Sequence, residues 1–236
     1  KFRGNAGGHD RSVRLSPARM NALVREDLPP QFLDPAQRSV ANHLGMWTFI
    51  ATEILFFGGL FTSYAVYRRA YPEAFAAGSG HLDFWLGTLN TALLLTSSLF
   101  MALGDHAVKS GRRRTLHWCL VAAWLLGAAF LAVKGYEYFQ KYTEHLVPGA
   151  GFQPAGPGSA RPQLQLFLFL YFAMTGLHAV HLLVGLAAIG WLLWMNGRGR
   201  LSPERPGPVE MVGLYWHFVD CVWVFLYPLL YLIPHR

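Results

Sequence analysis

A single carboxyl group, that of Glu53, lies deep inside an otherwise uncharged apolar stretch. The stretch runs from Gly45 to Tyr67 and reads GMWTFIATEILFFGGLFTSYAVY. It is long enough to cross a hydrocarbon core of roughly 30 Å as a helix. A carboxyl near the bilayer centre costs on the order of 2.5–3.5 kcal/mol. Two interpretations stay open: a protonated glutamate hydrogen-bonded inside a helix bundle, or a carboxyl that faces a proton path or a partner subunit.

The neighbours of Glu53 are apolar, with Ile54, Phe56 and Phe57 following it. We therefore expect Glu53 to be protonated and hydrogen-bonded at neutral pH, not in a salt bridge. The first three apolar stretches offer no deep cation, because Lys134 lies near the end of its stretch. The expected acceptor or donor is a hydroxyl, a backbone carbonyl or a group on a partner chain.

Two histidines, His178 and His181, lie three residues apart in a later apolar stretch and so share a helical face. Two imidazoles on one face could ligate a metal or a haem. A metal normally needs three or four ligands, and the first three apolar stretches supply only His117, near an edge. We expect no metal site, and we expect hydrogen bonds to other helices or to lipid.

The last apolar stretch contains Trp216, His217, Asp220 and Trp223 in the run LYWHFVDCVWVFLYPLLY. His217 and Asp220 share a face. They could form a proton relay or a structural ion pair, and a buried pair of this kind would be costly to break. Both interpretations stay open.

Other polar residues within apolar stretches suggest packing roles. Lys134 and Glu137 are three residues apart, and we interpret them as a snorkelling lysine paired with a glutamate, with a lipid headgroup site as the alternative. Asn90 and its hydroxyl-bearing neighbours favour close helix packing. Contacts with lipid or with partner subunits are predicted for eight of these residues, namely Asn90, Lys134, Glu137, His178, His181, Trp216, His217 and Asp220.

The elements that position these residues are five apolar stretches, so the predicted fold is all-α, a polytopic membrane protein with no sheet. Pro72 and the preceding arginines should end the first span. The apolar run of the fourth span is longer than a membrane requires, so that span should tilt or project beyond the membrane.

The predicted spans cover residues 45–67, 84–103, 116–138, 164–195 and 212–233. The division is a polar arm over 1–44, irregular except for a short surface helix between Pro17 and Leu28, and a membrane domain over 45–236.

Composition agrees with a membrane protein, since 53% of the residues are hydrophobic and 14% are charged, where soluble domains carry about 25% charge. The net charge of +7 does not indicate nucleic-acid binding, because the basic residues lie in loops beside the apolar spans. Cys119 and Cys221 lack a second cysteine at metal-binding spacing. No nucleophile with its base and no nucleotide-binding motif is present, so no catalytic residue is predicted.

The distribution of basic residues predicts the orientation in the membrane. One side, which includes the arm, carries fourteen lysines and arginines, and the other side carries five. Basic residues concentrate in cytoplasmic loops, so the N-terminus should be cytoplasmic and the C-terminus outside.

With these residues in place, the chain resembles subunit III of the haem–copper oxidases. The resemblance rests on five segments that occur in the same order and together span residues 45–231. They are GMWTFIATEILFFGGLF, LGTLNTALLLTSS, LLGAAFLAVKGYEY, FAMTGLHAVHLLVG and YWHFVDCVWVFLYPLLY.

The resemblance implies a non-catalytic subunit of a bacterial inner-membrane oxidase, with no active site of its own, that packs on subunit I and works with subunit II and other subunits. Haem and copper would lie in partner subunits, phospholipid would bind, and Glu53 would be the family's buried carboxyl. Larger members of the family have seven spans, with a lipid-filled cleft between the first two and the last five. The five spans of this chain correspond to the last five. Such a subunit supports proton uptake and stability of subunit I.

Several alternatives stay open. The oxidase could use a quinol instead of cytochrome c, the chain could be associated with a nitric oxide reductase, and the complex could join a respiratory supercomplex. A membrane transporter is the alternative of a different class, although the discontinuous helices or inverted repeats that it would predict are not visible.

Overall fold

The structure is a computed structural model that describes residues 35–149, 152, 161–204 and 206–232. These residues contain six α-helices and no strand. The helices are α1 (Pro35–Ala70), α2 (Pro72–Gly80), α3 (Phe84–Lys109), α4 (Arg113–Thr143), α5 (Arg161–Gly197) and α6 (Gly207–Tyr231).

Five of the six helices are long and apolar enough to cross a membrane, which confirms the predicted all-α fold with five spans. They cover Val40–Ala70, Phe84–Lys109, Arg113–Thr143, Pro162–Gly197 and Gly207–Tyr231. The predicted boundaries differ by several residues because polar and charged residues continue the helices past the apolar core. The 37-residue α5 is longer than a core of roughly 30 Å requires.

The start of α1 corrects the predicted arm. The helix begins at Pro35, ten residues before Gly45, so the end of the arm is helical and not irregular. Proline is compatible with the first turn of a helix, and residues 36–44 contain neither proline nor glycine. The surface helix predicted between Pro17 and Leu28 lies outside the described residues. The division at residue 44 stays a prediction.

A short helix, α2, was not predicted. Pro72 ends α1 as expected, but it also occupies the first turn of α2, where its missing N–H costs nothing. Phe75 of α2 is fully buried, and its ring centroid lies 5.3 Å from those of Tyr64 and Phe167. Gly78 lets Phe167 approach, because a Cβ there would lie 2.3 Å from its ring. This packing holds α2 against the bundle.

The helices α3, α4, α5 and α6 form a ring in which each packs against two others. In its most apolar stretch, α6 has 61% of its residues buried, against 11% for α1. The centre of the ring is filled by large side chains, and fully buried ones include Trp216, Trp223, Phe130, Leu94 and Met101. The last span along the chain is therefore the most buried of the five spans.

Trp216 fits between two helices because glycines face it. A Cβ at Gly127 would lie 2.6 Å from the Trp216 ring, and one at Gly185 would lie 2.8 Å from it. The atoms at the shortest distances belong to the rigid indole ring, so the indole or the helix backbones would have to move.

We expect Gly127→Ala to destabilise the protein by about 1–3 kcal/mol through overpacking against Trp216. Thermal unfolding of the purified protein measures this. Gly135→Ala on the same helix is the matched control, because no heavy atom lies within 4 Å of a Cβ there. Equal melting temperatures for the two variants would contradict the tight contact.

The first span, α1, lies along the seam between α5 and α6 and attaches through one stripe of side chains. Ile50, Phe57 and Tyr64 repeat every seven residues and are buried. The Tyr64 hydroxyl donates to the Leu229 carbonyl, near the end of α6. The rest of α1 presents large apolar side chains outward, including Trp47, Ile54, Leu55, Phe56 and Val66.

Candidate functional site

Glu53 forms a pair with His181 on the flank where α1 meets α5. Glu53 Oε2 lies 3.1 Å from His181 Nε2, and the side chains are 19% and 15% exposed. The expectation of a hydrogen bond is confirmed. Its expected partner is wrong, because the partner is an imidazole from the fourth span and not a hydroxyl, a backbone carbonyl or a partner chain. The protonated state of Glu53 stays a prediction.

The hydrogen bonds of His181 constrain where the protons lie. His181 Nδ1 is 2.9 Å from the Leu177 carbonyl oxygen, which can only accept, so Nδ1 carries a hydrogen. If the imidazole is neutral, Nε2 is then an acceptor, and the proton in the contact comes from a neutral Glu53 carboxyl. If the imidazole is protonated, Nε2 donates to a carboxylate. In both cases one proton is shared between the two side chains.

Aromatic side chains enclose one side of the pair. The rings of Phe57 and His181 are 5.4 Å apart, with an edge-on orientation, and Phe57 also contacts Phe218. The Tyr215 hydroxyl donates to the His181 carbonyl oxygen at 2.9 Å. The partial exposure of Glu53 and His181 shows that the other side of the pair opens onto the surface of the bundle.

His178 does not join this pair. It is 1% exposed, and its ring lies 5.5 Å from that of Phe130 and 5.3 Å from that of Trp223. Neither ring nitrogen has a hydrogen-bond partner among the described residues. The two histidines therefore face different neighbours, and the predicted hydrogen bonds to helices are found at His181 alone. The described residues contain no group of three or more His, Cys, Asp or Glu that could hold a metal ion.

Lys134 and Glu137 form a buried ion pair one turn apart on α4. Lys134 Nζ lies 2.9 Å from Glu137 Oε2, with side chains 5% and 1% exposed. The ammonium also donates to the hydroxyls of Tyr231 at 2.8 Å and Tyr171 at 3.1 Å. Both hydroxyls in turn donate to Glu137 Oε1, at 2.6 and 2.9 Å. All three ammonium hydrogens and both carboxylate oxygens thus have partners.

The same ammonium group lies among four aromatic rings. Nζ is 5.0–5.7 Å from the ring centroids of Tyr138, Tyr171, Trp223 and Tyr231. Each ring face attracts a cation, and more strongly where water is excluded. The predicted pairing of Lys134 with Glu137 is confirmed. The predicted snorkelling is wrong, because side chains from α5 and α6 cover the ammonium.

The hydroxyls of α3 bind the indoles and imidazole of α6. Trp216 Nε1 donates to Ser97 Oγ at 3.1 Å, and that hydroxyl donates to the Ala123 carbonyl at 3.0 Å. Ser98 Oγ lies 2.6 Å from His217 Nδ1. Asn90 itself is fully buried, and its amide atoms have no partner among the described residues.

His217 and Asp220 do not pair with each other in the described structure. His217 turns to Ser98, and Asp220, 3% exposed, lies beside the same serine. The predicted ion pair is not present among the described residues, because both side chains lie next to Ser98 of α3, and the proton relay stays a prediction. Lipid or subunit contacts of the predicted residues stay predictions. The burial of Asn90, Lys134, Glu137, His178, Trp216 and Asp220 within this chain does not favour such contacts for them.

Comparison with known proteins identifies the family. The family model for cytochrome c oxidase subunit III matches residues 165–234. Cytochrome c oxidase subunit 3 of Synechocystis sp. is 34% identical over 191 residues, which cover 80% of this chain and 74% of that protein. The chain belongs to the cytochrome c oxidase subunit III family.

Other members of the subunit III family are similarly related. Cytochrome c oxidase subunit 3 of Thermostichus vulcanus is 31% identical over 80% of this chain and 86% of that protein. Subunit 3 of the cytochrome bo(3) ubiquinol oxidase of Pseudomonas putida is 30% identical over 80% of this chain and 84% of that protein. The predicted resemblance is confirmed, and this subunit III is a multi-pass membrane protein that works with other oxidase subunits.

Several residues around the sites of this subunit III were not predicted from the sequence. Tyr171 and Tyr231 complete the Lys134–Glu137 network, and Tyr215 holds the His181 backbone. The available signal was weak: a phenolic hydroxyl inside a membrane span needs a partner, but the sequence does not indicate which one.

Proposed function

We propose that this chain is a non-catalytic subunit of a haem–copper oxidase in a bacterial cytoplasmic membrane and that it packs directly on subunit I. Haem and copper lie in the partner subunits. A protein of Aeropyrum pernix named heme-copper oxidase subunit I+III supports the direct contact, because its name joins the two subunits in one chain. It is 31% identical to this chain, and the match covers 80% of this chain and 22% of that protein. Subunit II and further subunits complete the complex.

The outward face of α1 carries this proposal. A span with 11% of its residues buried and attached through a single stripe leaves a broad apolar face open. Subunit I packs against this face, and phospholipid fills the groove beside Glu53 and His181. Through this contact the chain stabilises subunit I and supports its proton uptake.

Purification of the tagged chain in mild detergent tests the proposal. We expect subunit I to co-purify with a haem absorption spectrum. A photo-crosslinking amino acid at Ile54, 57% exposed on α1, should crosslink to subunit I, whereas one at Leu99, 57% exposed on α3, should not. A chain that purifies without any haem-bearing partner would contradict the proposal and favour a transporter.

The ubiquinol oxidase relative supports a second candidate for the electron donor. The subunit 3 of that oxidase is as similar to this chain as several of the cytochrome c oxidase subunits. Oxygen uptake by the purified complex with reduced cytochrome c or with a quinol separates the two donors. Association with a nitric oxide reductase or a respiratory supercomplex would appear as additional subunits in the same preparation.

We propose that the N-terminus is cytoplasmic, on the basis of the fourteen basic residues on its side against five on the other. A cysteine introduced by Ser110→Cys, in a variant without Cys119 and Cys221, should resist a membrane-impermeant maleimide in sealed cells. The same cysteine should react after the cells are opened. Labelling of this cysteine in sealed cells would contradict the proposed orientation.

A further inference from the structure

A surface cavity lies where the beginning of α4 meets the end of α5. It has a volume of about 440 Å³ and lies apart from the Glu53 and Lys134 sites. Its lining combines guanidinium groups with an imidazole, an indole and a helix end, namely Arg113, Arg114, His117, Trp118, Asn196 and Gly197. None of these six residues is acidic.

Arg113 forms one fixed wall of the cavity. Its Nε donates to the Asn196 carbonyl at 2.9 Å, and its Nη2 donates to the Gly197 carbonyl, also at 2.9 Å. These carbonyls belong to the last turn of α5, where the helix leaves acceptors unpaired and carries partial negative charge. The contacts hold the guanidinium in place and leave the hydrogens of Nη1 for another acceptor.

Arg114 is the free cation of the cavity. It is exposed, and no hydrogen bond or ion pair joins it to any residue in the described part of the chain. The carboxylates of Asp105 and Glu210, near the same end of the bundle, are already paired with Lys109 at 2.8 and 2.9 Å. The cavity therefore carries positive charge with no carboxylate in its lining to balance it.

Aromatic side chains place the cavity at the depth of lipid headgroups. Trp118 is 69% exposed in the second turn of a membrane span, and its ring contacts that of His117. At the same end, the Trp194 ring lies under the guanidinium groups of Arg198 and Arg200, at 4.2 and 5.2 Å. Exposed tryptophans with arginines at the end of spans are typical of the membrane–water interface.

We propose that this cavity binds the phosphate group of an anionic phospholipid. Arg114 and the free Nη1 of Arg113 contact the phosphate oxygens, and the exposed indole of Trp118 packs against the glycerol and the first acyl carbons. A planar guanidinium suits phosphate oxygens, and charge-assisted hydrogen bonds to them are stronger than neutral ones. A lipid is favoured over free phosphate because the cavity opens beside the apolar faces of two spans.

The test is titration of the purified, partly delipidated complex with phosphatidylglycerol, followed by native mass spectrometry. We expect Arg114→Gln to weaken binding of one phosphatidylglycerol roughly tenfold, the loss of one charge-assisted contact. Arg112→Gln is the matched control, because Arg112 is an exposed neighbour outside the cavity lining. Unchanged binding in Arg114→Gln, or an equal loss in Arg112→Gln, would overturn the proposal.

Two further arms identify the source of the phosphate. Phosphatidylcholine carries the same phosphate but adds a quaternary ammonium, so it should bind the wild type more weakly than phosphatidylglycerol does, and equal binding of the two lipids would overturn the preference for an anionic lipid. Inorganic phosphate in large excess, compared with chloride at equal ionic strength, should not displace phosphatidylglycerol. Displacement would overturn the assignment to a lipid. Trp118→Ala, at a side chain 69% exposed, serves as a second variant that should weaken phosphatidylglycerol binding if Arg114→Gln does not assemble.

Discussion

Replacement of Lys134 by methionine is expected to destabilise the protein by about 3–5 kcal/mol, because it leaves the Glu137 carboxylate buried without its cation. Glu137 is 1% exposed and keeps only the two tyrosine hydroxyls as donors. The variant should accumulate poorly in the membrane and melt at a lower temperature. Immunoblotting of membranes and thermal unfolding of the purified complex measure the two effects.

Lys109→Met is the matched control. Lys109 also contacts two carboxylates, but its side chain is 48% exposed, so its loss should cost at most about 1 kcal/mol. The double variant Lys134→Met with Glu137→Gln should recover much of the lost stability, since no uncompensated charge stays buried. A Lys134→Met protein as stable as the Lys109→Met protein would contradict a strongly coupled pair.

The second large effect is expected at Glu53, where glutamine and alanine should behave differently. Glutamine keeps the shape and can donate from its amide to His181 Nε2, so Glu53→Gln should assemble and turn over almost as the wild type does. Alanine removes both the packing and the partner of a half-buried imidazole, so Glu53→Ala should weaken assembly of α1 with the bundle. The amount of assembled complex and its oxygen consumption over many turnovers measure both.

Sustained turnover separates the two interpretations of Glu53. A Glu53→Gln complex that assembles fully but loses activity early would show that the ionisable group takes part in proton traffic or protects the active site. Full activity over many cycles would exclude that role. His181→Gln is the companion variant. If the contact is structural, it should affect assembly to a similar degree as Glu53→Gln.

The five spans were predictable because membrane insertion depends on local composition. A run of about twenty apolar residues must form a helix in a bilayer, wherever its partners lie. The end of α1 before Pro72 and the pairing of Lys134 with Glu137 were predictable as well, because both are local features. Both depend on neighbours within one turn of the same helix.

The partners of the polar groups could only come from the tertiary structure. His178 and His181 share a helical face, yet one packs between the rings of Phe130 and Trp223 and the other reaches Glu53, 128 residues earlier. The number of residues between two side chains determines the angle between them around the helix axis. It does not determine which other helices lie next to each side chain.

The sequence by itself determined that Glu53, Lys134 and His181 would lie within membrane spans and would need partners, because unsatisfied polar groups are costly in hydrocarbon. The tertiary structure alone decided that Tyr171 and Tyr231 enclose the lysine and that α6 is the most buried of the five spans. Every span is apolar, so hydrophobicity cannot rank them by burial. That ranking depends on which small and large side chains, such as Gly127 and Trp216, fit together across helices.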